Sequence, residues 1–174
     1  FVGESRVKET TEKITTFANR EKLEIHLIGR LQKNKVRKAI QLYDVIQTVD
    51  STLLAERINR IAKEEKKTQR IYLQVNSGKD RNKQGFNPNK LVQEAIQINT
   101  FSNIIIEGIM MIPPLISRDN NYRTIFKKTR ILRDKIIGCG IKSCRHLSMG
   151  MTQDFELAIE EGATHVRIGT GLFG

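Results

Sequence analysis

The sequence is short of several features that would narrow its role at once. No apolar run is long enough to span a bilayer, and the N-terminus carries no basic region followed by a small-residue cleavage site. Neither a membrane anchor nor a secretory leader is therefore expected. An initiator methionine is absent too, so an upstream segment is expected to be missing. Aromatic residues make up only 6% of the 174 residues. The two cysteines, Cys139 and Cys144, lie in a Cys-Gly-Ile-Lys-Ser-Cys stretch with neither zinc-site spacing nor two further ligands nearby, which suits a reducing compartment. The one Gly-x-Gly-x-x-Gly spacing, Gly169 to Gly174, follows the last expected strand rather than the first β/α turn that binds a dinucleotide, and there is no Gly-x-Ser-x-Gly nucleophile turn and no His-Glu-x-x-His metal helix. What remains is an ordinary globular composition, 39% apolar and 28% charged, long enough for one domain with a real core. Thirty basic against nineteen acidic side chains leave a formal charge of +11. That excess attracts nucleic acid or a phosphorylated ligand without choosing between them.

The periodicity of the apolar residues predicts an alternation of strands and helices. Strands are expected at the very start (Phe1-Val2) and over 24–29, 45–50, 71–76, 104–111, 145–148 and 165–169. Helices are expected over 4–17, through Leu31 to Leu42, from the Ser51 N-cap to about Lys67, from Pro88 to Ile98, over 122–137 and over 154–161, the last closed by Gly162. Pro113 and Pro114 end the fifth strand because neither can donate to a ladder.

Strands separated by helices imply parallel pairing with right-handed crossovers. The fold class expected is α/β, a TIM-type (β/α)8 barrel that is incomplete, because seven strands are one short of closure and the first β/α unit would lie upstream of Phe1. One domain covers 1–174. The alternative is a doubly wound open sheet, which needs no missing strand but has no such glycine-rich turn in its first β/α unit.

Polar or small residues gather at the expected C-terminal ends of the strands: Gly29-Arg30, Asp50, Asn76, Ser148-Met149-Gly150 and Gly169-Thr170-Gly171. In a barrel these positions share one face, where binding sites are built; otherwise they are simply turn residues. Gly169 and Gly171 around Thr170 let the backbone turn and present amides to an anion, and phosphate commonly sits after the last two strands of a barrel. Ser148 adds a hydroxyl from the neighbouring strand, and Arg167 shares the face of Gly169 by alternation. His26, His146 and His165 are too scattered for a metal motif and are expected to be three independent residues. Arg30, Lys33, Lys35, Arg37 and Lys38 form a basic helix, and Lys79, Arg81 and Lys83 a basic loop, without aromatics between them for base stacking.

A series of ordered blocks resembles the YggS/PROSC family of pyridoxal phosphate homeostasis proteins. They are Val2-Gly-Glu-Ser-Arg-Val-Lys-Glu9, His26-Leu-Ile-Gly-Arg-Leu-Gln-Lys-Asn-Lys35, Thr48-Val-Asp50, Leu73-Gln-Val-Asn76, Gly108-Ile-Met-Met-Ile-Pro-Pro114, Leu147-Ser-Met-Gly-Met-Thr-Gln-Asp154, Val166-Arg-Ile-Gly-Thr170 and Phe173-Gly174. The resemblance implies a barrel of the alanine racemase N-terminal kind that binds pyridoxal 5'-phosphate. It implies that Ser148, Gly169 and Thr170 hold the cofactor phosphate and that Arg167 lies near the pyridine nitrogen. Ser5 stands where the family usually has asparagine, so it offers a shorter contact beside the ring. The family's lysine that bonds covalently to the cofactor falls on a strand before Phe1, and no lysine here occupies that position.

The function so implied is intracellular cofactor homeostasis: carrying and buffering the cofactor for pyridoxal-phosphate-dependent apoenzymes, as a monomer or weak dimer, without catalysis of its own. A fold type III amino-acid racemase is the alternative and needs a second base, for which Tyr43, Tyr72 and Tyr122 are the candidates; a basic RNA-binding protein is the third reading. The cytoplasm is the expected compartment, or the plastid stroma, since richness in Ile, Asn and Lys suits an AT-rich genome.

Overall fold

The computed structural model describes residues 1–14, 20–77, 84–114 and 119–169. Its strands are β1 (Val2–Glu4), β2 (Ile25–Leu27), β3 (Val45–Val49), β4 (Gln69–Gln74), β5 (Ile104–Met110), β6 (His146–Met151) and β7 (His165–Arg167). Its helices are α1 (Val7–Lys13), α2 (Val36–Leu42), α3 (Thr52–Glu64), α4 (Leu91–Ile98), α5 (Asp119–Gly138) and α6 (Phe155–Glu160), with short 3₁₀ turns at Arg20–Lys22 and Lys33–Lys35.

All neighbouring strands pair in parallel, in the order β1-β2-β3-β4-β5-β6-β7. A doubly wound sheet reverses its strand order at a switch point; this one never does, which is the order of a barrel. The Phe1 and His165 rings, from opposite ends of that order, lie 4.8 Å apart, so the sheet curls until its two edges approach.

Alternation along the strands divides the core in two. Ile46, Ile71, Leu73, Ile109 and Leu147 point outward into a large cluster shared with the helices, while Val45, Tyr72 and Met110 form a small cluster inside the curl. On α3 the stripe Leu54, Ala55, Ile58, Ile61 and Ala62 is buried, and the Ser51 hydroxyl accepts the Leu54 amide at 3.4 Å, the expected N-cap. Gly162 follows α6 with a φ of 89°, the left-handed geometry that ends a helix cheaply only with glycine.

Several boundaries differ from expectation, each for a tertiary reason. Glu4 belongs to β1, because Val2, Gly3 and Glu4 pair with Ile25, His26 and Leu27, and the first helix begins at Val7 and runs over Val7–Lys13, its expected continuation to Phe17 lying outside the described residues. β4 starts two residues earlier than the apolar run, since Gln69 and Arg70 pair with Ile104 and Ile105. The helix after Pro88 begins only at Leu91, the Asn87 carbonyl receiving the amides of both Lys90 and Leu91. β6 runs on to Met151, and β7 stops at Arg167. No helix among the described residues is long and apolar enough to cross a membrane.

Candidate functional site

Parallel strands bring all their C-terminal ends to one mouth. There the strand order sets Ser5 beside Gly29, whose Cα leaves no room for a side chain: an added Cβ would lie 1.9 Å from the Ser5 carbonyl oxygen. Ser5 itself is exposed. A cavity of about 410 Å³ opens at the same mouth, lined by Ile28, Gly29, Arg30, Thr48, Gln74, Asn76, Gln84 and Ile112. Its size falls in the range of small-molecule sites. Thr48 donates to the Gly29 carbonyl at 2.7 Å, tying β3 to the end of β2. The Arg30 guanidinium faces the Gln84 amide oxygen, with Nε 2.6 Å away once that amide is turned to meet it.

Across the mouth, Arg167 leaves the end of β7 and turns inward. Its Nη1 donates to Ser148 Oγ at 2.8 Å and its Nη2 to the Met111 carbonyl at 2.7 Å. Burial lowers the guanidinium pKa to about 10, against the opposing pull of the Asp154 carboxylate. Ser148 is fully buried in β6, and its own hydroxyl donates to Gln47 Oε1 at 2.6 Å. Ser148, expected as a phosphate ligand, thus donates to Gln47 and accepts from Arg167. Gly169 is exposed, and a Cβ there would touch nothing within 4 Å, so the backbone is open to an approaching group. Thr170 and Gly171 lie outside the described residues, as do Lys79, Arg81 and Lys83.

Below Ser148 the polar contacts continue. Gln47 Nε2 reaches His26 Nδ1 at 2.6 Å, and His26 Nε2 lies 3.1 Å from Glu24 Oε1. Arg70 pairs with that same carboxylate oxygen at 2.9 Å. Burial lowers the pKa of His26, partly offset by Glu24, and burial opposes but does not overcome the lowering of Glu24 by Arg70 and His26. The three histidines are not independent, contrary to expectation. Because β6, β7 and β2 curl around one interior, the His165 ring centroid lies 5.0 Å from that of His146 and 5.8 Å from that of His26. Among the described residues no group of three or more His, Cys, Asp or Glu could hold a metal ion.

The structure thus unites Ser148 with Arg167 and sets Ser5 and Gly169 at the same end of the sheet. Sequence reasoning missed Gln47, although a single amide inside the apolar strand Val45–Val49 was a visible signal. Of the basic residues, Arg37 is paired with Glu64 and Glu65, whereas Lys33, Lys35 and Lys38 are exposed. The candidate second bases sit in three different surroundings. Tyr43 follows α2 at the foot of β3 with its hydroxyl against Thr10, Tyr72 is inside the barrel with its pKa raised by burial, and Tyr122 is in α5.

An open run of seven parallel strands with its polar groups at one mouth defines a class, and the family model described as the alanine racemase N-terminal domain matches residues 3–174. A pyridoxal phosphate homeostasis protein of Aquifex aeolicus is 40% identical over 172 residues, covering 99% of this chain and 75% of that protein. The structure of PipY from Synechococcus elongatus without PLP superposes with a TM-score of 0.93 at 39% identity, covering 99% of this chain and 80% of that one. PipY with PLP bound superposes with a TM-score of 0.88 at 38% identity and the same coverage. The chain belongs to the family of pyridoxal phosphate homeostasis proteins. It spans about three quarters of the length of these relatives.

Proposed function

We propose that the chain binds pyridoxal 5'-phosphate at the mouth of its barrel, limits the free aldehyde and releases the cofactor to apoenzymes that need it. Arg167 is the observation that carries this reading. Two acceptors fix its guanidinium at the mouth, and with a pKa of about 10 it remains a cation and a donor at neutral pH. When bound, the cofactor supplies an electrophilic aldehyde on an electron-accepting pyridine ring. A guanidinium facing the ring nitrogen donates to its lone pair and keeps it unprotonated, which makes the ring a weaker electron sink. That arrangement favours holding the cofactor over carbanion chemistry.

The phosphate goes to the main chain at Gly169, where the backbone is open, and to the Thr170 hydroxyl. Ser5 serves the ring from the end of β1, and Ser148 serves it through Arg167. A racemase needs a second base at the mouth, and neither Tyr43, hydrogen-bonded to Thr10, nor Tyr72, its pKa raised by burial, is favoured for that role. The site of action is the cytoplasm or plastid stroma, where Cys139 and Cys144, both free here, stay reduced.

Titration of the 174-residue chain followed by fluorescence tests the reading. Saturable binding is expected, with pyridoxal 5'-phosphate preferred over pyridoxal by at least about tenfold, as charge-assisted phosphate contacts require. Binding without saturation contradicts it. Borohydride treatment of the loaded chain is expected to leave the intact mass unchanged. A specific adduct on one internal lysine would show covalent anchoring by a residue of this chain.

A further inference from the structure

We infer that Gln47 is a positioning residue for Arg167, acting from the barrel interior through Ser148. The inference rests on the cofactor-binding reading above. Gln47 is fully buried on β3, between Ile46 and Thr48, and its side chain spans the interior to touch β2 on one side and β6 on the other. Its amide nitrogen faces β2 and its amide oxygen faces β6. The amide nitrogen can only donate, so His26 Nδ1, 2.6 Å away, must be the acceptor, and the imidazole proton then lies on Nε2, facing Glu24.

With the nitrogen so placed, Gln47 Oε1 accepts the Ser148 hydroxyl proton at 2.6 Å. With that proton held on Gln47, Ser148 Oγ presents a lone pair to Arg167 Nη1 at 2.8 Å. Every donor from Arg167 to Gln47 therefore points the same way, toward His26, and the sense of the chain depends on which way the Gln47 amide faces. The Met111 carbonyl holds Arg167 Nη2 but leaves it free to pivot about that one contact. Ser148 supplies the second point that fixes the plane of the guanidinium, and Gln47 fixes Ser148. A glutamine on an apolar parallel strand, where aliphatic side chains would pack as well, has its reason here.

Two measurements on the full chain decide it. In the absence of cofactor, the Arg167 guanidinium N–H resonances are expected to be slowly exchanging in the native protein and to broaden or vanish in Gln47→Leu. The bound cofactor should then report the consequence. Its absorbance titration, which follows the ring nitrogen, is expected to move to higher pH in Gln47→Leu. Affinity should fall roughly ten- to hundredfold, the effect of losing a hydrogen bond to a charged group. Because the defect lies at the ring and not at the phosphate, pyridoxal should lose as much as pyridoxal 5'-phosphate.

Gln47→Glu keeps the acceptor for Ser148 and has nearly the same shape, its second oxygen being met by a proton on His26 Nδ1, so it should restore sharp Arg167 resonances; it also serves if the leucine variant does not fold. Unaltered Arg167 resonances in Gln47→Leu would overturn the inference, as would broad ones in a folded Gln47→Glu. Failure of the native chain to bind the cofactor would instead overturn the functional reading, leaving the cofactor-free resonances to decide the role of Gln47.

Discussion

Arg167 and Ser148 divide the work of the mouth in a way that their spacing in sequence does not reveal. The hydroxyl of Ser148 is occupied on both sides, by Gln47 and by Arg167, at 2.6 and 2.8 Å. Ser148→Ala is therefore expected to weaken pyridoxal 5'-phosphate and pyridoxal alike, by roughly tenfold for one lost charge-assisted contact. Thr170→Ala should instead weaken the phosphorylated form more, since a phosphate ligand acts only on it. Paired fluorescence titrations separate the two. A selective loss of the phosphorylated form in Ser148→Ala would mean that the hydroxyl leaves Gln47 when the cofactor binds. At this scale the shared face of Arg167 and Gly169 was an expectation drawn from strand alternation, which is local. Gln47 and the histidine group were not, since His26, His146 and His165 meet only when distant strands close around one interior.

Among the elements, those with an uninterrupted period were read almost to the residue. α3 is the clearest case, because its stripe repeats without a break and Ser51 marks its start. Removing that cap, Ser51→Ala, is expected to cost about 1 kcal/mol of stability in a denaturant titration. Ile58→Ala, which empties a fully buried site on the same helix, should cost about 2–5 kcal/mol. β1 and α1 were misread for a physical reason. A strand of three residues holds its conformation by pairing with Ile25–Leu27, some twenty residues on, and nothing local announces that register. The same holds for the early start of β4, where Gln69 and Arg70 are polar yet pair with the apolar Ile104 and Ile105.

For the whole molecule, the seven strands and their parallel order follow from the alternation of periods, and the count was readable before the pairing was. The interior is less ordinary, because a barrel core is usually filled by branched aliphatic residues. Here His26, Gln47, Tyr72, His146, Ser148, His165 and Arg167 occupy the inside of the curl. Burial, with His146 and His26 as neighbours, pushes the pKa of His165 down to about 4. An unfolded histidine titrates near ~6.5, so between those values the unfolded chain binds more protons than the folded one. Stability is then complete above about pH 6.5 and declines as the pH falls toward 4, with no further change from this group below that. His26 acts in the same direction. Denaturant midpoints measured from pH 7.5 to 4 should show this slope, and His165→Asn should flatten it. An equal slope in the variant would assign it to other groups.

The central claim is that Arg167 meets the cofactor ring while the turn beginning at Gly169 takes its phosphate. A crystal structure of this chain soaked with pyridoxal 5'-phosphate tests it most directly. The expected result is a guanidinium nitrogen of Arg167 within hydrogen-bond distance of the pyridine nitrogen, with the phosphate against Gly169 and Thr170. A cofactor bound with its phosphate on Arg167, or seated away from the ends of β6 and β7, would contradict it.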